Sequence, residues 1–226
     1  DIYCYCKRYM ELNLFVYILL IFCIPYLLYS NSQIQPRKGF SILFISIIST
    51  IIILKFSVLS TLGIIPLIVT LFIDKKVFHK YLYGSSFLIL NYQIFLESDL
   101  SLFNLILSNL FPVSLISGVF SSMMIGHWFL VDPTISKQGM KRIALFCTLQ
   151  SLTMIPLVFF EFIGENIEDL FKNVILFLFL STSILSFASF KSLGEKSYTG
   201  VMASTGLSYL SLIVSLGASG GLLLLA

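Results

Sequence analysis

Apolar residues run along this chain in long blocks that polar segments interrupt at short intervals. The first block, residues 12–29 (LNLFVYILLIFCIPYLLY), is long enough as a helix to cross a hydrocarbon core of about 30 Å. After NSQIQPRKG the chain stays apolar from Phe40 to Ile73. As one helix that block would measure about 51 Å, far too long for a bilayer. Lys55 stands near its middle, so the pattern predicts two short spans, 40–54 and 57–73, joined by a tight turn at Lys55-Phe56-Ser57 and with Pro66 kinking the second. A seven-span arrangement would leave the block unsplit. Further spans are expected at 81–96, 111–131, 143–161, 173–190 and 201–225. The stretch 101–110 (SLFNLILSNL) mixes apolar residues with Ser and Asn and is expected to lie along the interface before Pro112 opens the fifth span. The expected fold is an all-helical, polytopic transmembrane bundle of about eight spans, a single integral membrane domain over 1–226.

The connecting segments alternate in charge. Those at 74–80, 132–142 and 191–200 hold three, three and two Lys or Arg, whereas those at 97–101 and 161–172 hold none and one, Lys172. Because Lys and Arg are retained on the cytoplasmic side during insertion, the three basic segments are expected there, with one span between each basic and acidic segment. Eight spans then put both chain ends outside, which leaves Lys7 and Arg8 on the disfavoured side. These two residues precede the first apolar block as in a signal peptide, but no small-x-small cleavage site follows, so a permanent span is expected.

Composition narrows the class further. Of 226 residues, 58% are hydrophobic and 11% charged, and the mean hydropathy is +0.98. A soluble domain carries roughly 25% charged residues. The net charge of +3 is spread over many segments, which excludes a concentrated nucleic-acid surface. Cys23 and Cys147 lie in apolar blocks and read as small core residues, while the CxC at Cys4 and Cys6 suits neither an easy disulfide nor a metal site. No phosphate-cradling GxxxxGK[ST], HExxH or GxSxG is present, so the chain is expected to have no catalytic activity of its own. No ionisable residue sits securely at the middle of a span, which weakens ion-coupled transport. Asn91, Gln93 and Gln150, the polar groups within spans, read first as bonds between helices.

The fifth span concentrates the candidate features. Ser114, Gly118, Ser122 and Gly126 recur every four residues and form a smooth stripe on which another helix can approach closely. The last span carries Ser211, Ser215 and Ser219 on one ladder and Gly217 with Gly221 on another, and it is the expected partner. His127 follows the stripe directly, and Trp128 reads as an interfacial anchor before the stop at Asp132-Pro133. An imidazole there is a candidate axial ligand of haem b, with His79 as a second ligand, or a hydrogen-bond donor to a quinone, with Met123 and Phe120 as an apolar wall. The bland alternative is a structural His127 and a solvated His79.

The segments GHWFLVDP and STGLSYLSLIVSLG resemble a group of bacterial multi-span membrane proteins that share a Gly-His-Trp-aromatic-Leu-x-x-Pro helix end and a Thr-Gly-x-x-Tyr final span. The matching positions are Gly126, His127, Trp128, Phe129, Leu130 and Pro133, then Thr205, Gly206 and Tyr209. The resemblance covers about a tenth of the chain and implies a bacterial inner-membrane location without bringing an activity. The sequence reading is thus an accessory or cofactor-contacting subunit of a respiratory-type electron-transfer complex, in contact with the lipid bilayer and other membrane subunits. A small-molecule transporter or a purely structural subunit is the alternative.

Overall fold

The structure is a computed structural model that describes residues 2–35, 37–54, 57–73, 76–98, 101–164 and 167–225. Among the described residues there are eight long helices and no strand: α1 (Ile2–Tyr29), α2 (Lys38–Leu54), α3 (Val58–Val69), α4 (Lys76–Glu97), α5 (Leu102–Val131), α6 (Lys137–Phe159), α7 (Asp169–Ser192) and α8 (Tyr198–Leu225). Among the described residues five stretches are long and apolar enough to cross a membrane: Leu14–Ile34 and the four helices α5 to α8. Helices α2 and α3 are apolar but shorter. Apolar side chains such as Phe72, Leu88, Phe177 and Ile213 are exposed on the outside, as expected of a surface that meets lipid rather than water.

Local chemistry explains the boundaries. The long apolar block is two helices, not one: α2 ends at Leu54, and Ser57 caps α3 by accepting from the Ser60 amide at 3.0 Å. Residues 55 and 56 of the expected turn lie outside the described residues. Helix α5 stops where the Asp132 carboxylate takes the Thr134 amide (3.3 Å) and hydroxyl (2.6 Å), just as Pro133 removes the next donor. Ser136 then caps α6, accepting from Gln138.

One expectation is corrected here. Residues 101–110 do not form a separate interfacial element, because Leu102–Asn104 and a π-helical stretch, Leu105–Leu110, run directly into Phe111–Val131. A proline inside a helix clashes with the carbonyl four residues back, here that of Ser108, and the wider π turn just ahead of Pro112 relieves that clash.

The chain divides into two compact units. The first comprises Asp1–Ser32 and Pro36–Leu102, the second Gln33–Gln35 and Phe103–Ala226. In the first, α1 packs on α2 and α4, and α3 packs on both α2 and α4, closing a ring of four helices. In the second, α5 packs on α6 and α8, and α7 on α6 and α8, closing another. Ile34 belongs to the second because its side chain lies against Gly139, where a Cβ would find no room.

Candidate functional site

In the second unit, α5 uses its small-residue stripe along its length. Near its start, Ser114 donates to the Phe111 carbonyl at 2.8 Å and accepts from the Gln150 amide of α6, which also reaches the Phe111 carbonyl at 3.1 Å. Gly118 is buried in the middle. Ser122 faces the centre of the ring, and Gly126 lies against α8 so closely that a Cβ would stand 2.5 Å from Thr205 Oγ1. At the other end of the same helix pair, Ser219 of α8 donates to the Pro112 carbonyl at 3.0 Å. The two contacts are equally spaced on both helices, which fixes an antiparallel register.

The polar centre of this ring is supplied by α7 as well. Ser186 meets Ser211 at 3.0 Å, and Ser189 meets Ser204 at 2.7 Å and Ser208 at 3.4 Å, all buried. On the far side of α7, Ser183 and Ser151 bond backbone carbonyls across the α6 interface, with Ser151 donating to Phe179 at 2.6 Å. Ser211 therefore belongs to the α7 interface, Ser219 to α5, and Ser215 returns its hydroxyl to the Leu212 carbonyl of its own helix. Gly217 and Gly221 look toward Leu178 and Ile175 of α7. The sequence reading missed the α7 face, although Thr182, Ser183, Ser186 and Ser189 follow the three- and four-residue spacing that marks a helix stripe.

A small cavity lies where these faces meet, between Ser122, Cys147, Ser186, Ser189, Ser208 and Ser211. The centre of a water molecule has about 10 Å³ in which to move there, the room for a single water and no more. Cys147 is buried at this point and Cys23 in the first unit, both as free thiols.

The histidines lie in different units. His127 is exposed at the end of α5, and Met123, one turn earlier, is buried at 7% exposure. Trp128 is half-buried beside it. In the first unit, the Nε2 of His79 is 2.6 Å from the Ile73 carbonyl and its ring stands edge-on to Tyr83. That nitrogen is committed to the turn before α4.

Two further polar clusters tie the first unit together. Gln93 Oε1 accepts from Tyr17 at 2.6 Å and from Ser60 at 2.9 Å, while its Nε2 donates to Glu97 at 2.9 Å, linking α1, α3 and α4. Toward the other end of α4, Tyr83 accepts from Asn31 at 2.8 Å, and Asn31 accepts from Ser41 at 2.9 Å. Asn91 instead bonds the Phe87 carbonyl of its own helix. Of the three polar residues within expected spans, Gln93 and Gln150 thus join helices and Asn91 does not.

Among the described residues no group of three or more His, Cys, Asp or Glu comes together as a metal site. No family model, curated protein or solved structure matches the chain.

Proposed function

We propose that the chain is a non-catalytic accessory subunit of a membrane assembly of the bacterial inner membrane, acting through its outer faces. The observation that carries this reading is the serine-bonded packing of the second unit. Serine pairs draw α7 and α8 together, and the cavity they line has room for one water, too little for a macrocycle. Helices α2, α3 and α4 add three short or less apolar crossings to the five long ones, giving eight spans. A haem b or quinone of a respiratory-type complex would be met from outside the bundle. His127 suits that position: its ring is exposed and makes no hydrogen bond among the described residues, and Trp128 adjoins it. His79 would have to give up its carbonyl bond to serve as a ligand through Nε2.

The test is to isolate the chain with its native membrane partners and to measure absorbance and extractable quinone. A Soret band or retained quinone is expected, together with co-purifying membrane subunits. His127→Ala should remove the cofactor signal and leave the bundle folded. A colourless, quinone-free assembly, or one in which His127→Ala keeps the wild-type cofactor content, rejects the redox contact and leaves a structural subunit. Solute uptake by the chain alone in vesicles rejects the accessory role altogether.

A further inference from the structure

We propose that the end of the second unit built by the start of α6 and the end of α7 holds the head group of an acidic phospholipid through Lys141, Arg142 and Lys191. The three cations stand at the same end of one helix pair. Helices α6 and α7 pack side by side, and Lys141 reaches from α6 to the end of α7, where its Nζ lies 4.0 Å from the position a Cβ on Gly194 would take. Arg142 and Lys191 are exposed on the outer faces of the same two helices.

None of the three forms an ion pair among the described residues, because the acids at this end are engaged elsewhere. Asp132 is held by Thr134, and the Glu195 carboxylate accepts from Ser197 at 3.3 Å. The remaining cation of the α5–α6 connection, Lys137, is already committed: it donates to the Glu195 and Ser197 carbonyls at 3.1 and 3.0 Å and lies 5.9 Å from the centre of the Phe129 ring. Lys191 Nζ lies 5.3 Å over the Phe187 ring, which holds the charge against an apolar surface. Uncompensated positive charge at the edge of an apolar face calls for an anion that also brings hydrocarbon.

The surface below supplies the place for that hydrocarbon. Leu145 and Leu149 on α6 and Ile184 and Phe187 on α7 are all exposed, on adjacent helices, and lead away from the cations. A free anion would satisfy the charges alone, whereas a phospholipid satisfies the charges and covers this face with its acyl chains.

Binding of fluorescent phosphatidylglycerol to the full chain in detergent tests the site, with unlabelled phosphatidylglycerol, phosphatidylcholine and inorganic phosphate as competitors. Phosphatidylglycerol should compete and the other two should be at least tenfold weaker. Each basic residue near a membrane surface contributes on the order of fivefold in affinity, so a Lys141→Gln, Arg142→Gln, Lys191→Gln variant should bind on the order of a hundredfold more weakly. A variant with Lys80→Gln and Lys172→Gln, which removes charge elsewhere, should bind as the parent does. If the triple variant does not fold, Arg142→Gln alone should still show the fivefold loss. Equal binding by the triple variant, equal loss in the control, or equal competition by phosphatidylcholine or by phosphate would each overturn the proposal.

Discussion

At Gly126 the difference between hydrogen and methyl decides how near two helices stand. A Cβ there would meet Thr205 Oγ1 at 2.5 Å and Thr205 Cβ at 3.3 Å, and the hydroxyl is not free to swing because it is bonded to the Val201 carbonyl at 2.8 Å. Gly126→Ala should therefore cost about 1–3 kcal/mol, the range of an overpacked core. Thr205→Ala, which removes the obstructing oxygen, should recover most of that loss in the double variant. Thermal unfolding of the three variants in detergent checks this, and additive losses would mean that the two residues do not press on one another. Gly164 is a glycine for a different reason, since its φ of 78° lies where other residues are strained and the turn after α6 depends on it. The stripe of Ser114, Gly118, Ser122 and Gly126 was legible because its spacing alone defines a face. The exposure of His127 was not. Helix α5 is apolar nearly all round, so its sequence does not say which side its neighbours cover, and the burial of Met123 followed one turn later by an exposed His127 is set by where those neighbours end.

Between elements, the pairing of α7 with α8 sets close approach against hydroxyl bonding. Interhelical hydrogen bonds inside membrane proteins average about 0.6 kcal/mol, because the separated helices find other partners, whereas overpacking costs about 1–3 kcal/mol. Ser189 is 1% exposed and reaches Ser204 and Ser208, so it can separate the two terms. Ser189→Ala keeps the small size and should cost less than about 1 kcal/mol. Ser189→Leu keeps nothing of either and should cost several times as much. Comparable losses in unfolding measurements would assign the pairing to the hydrogen bonds instead. The ends of the helices were readable where a chemical stop exists, as at Asp132-Pro133 and Ser57. The start of α5 was not, because LILSNL carries the mixed pattern of a surface helix and nothing in it marks a π turn that carries the helix through Pro112. The partner of α8 was only half readable. Its serine ladder points to close packing, but a ladder is equally suited to α5 and α7, and the structure divides it between them.

For the whole molecule the sidedness of the second unit follows from where its charged connections gather. Lys137, at the start of α6, donates to the carbonyls of Glu195 and Ser197 beyond α7, so the basic connections 132–142 and 191–200 share one end of the ring. The connection between α6 and α7 lies at the opposite end and is acidic: its one Lys, Lys172, pairs with Glu161 at 2.5 Å, and Glu165, Glu168 and Asp169 stand in the same segment of the sequence. The retained positive charge belongs on the cytoplasmic side, and an acidic connection with a single Lys sets no such constraint. Gln138 and Glu161 are both exposed and mark the two ends. In a background lacking Cys4, Cys6, Cys23 and Cys147, a cysteine at Gln138 should react with a membrane-impermeant maleimide only after the membrane is opened, and one at Glu161 should react in intact cells. The reverse pattern would invert the unit and move the basic end with Lys141, Arg142 and Lys191 to the outer leaflet. Labelling of both positions in intact cells would instead break the antiparallel ring, since α6 could no longer cross between them.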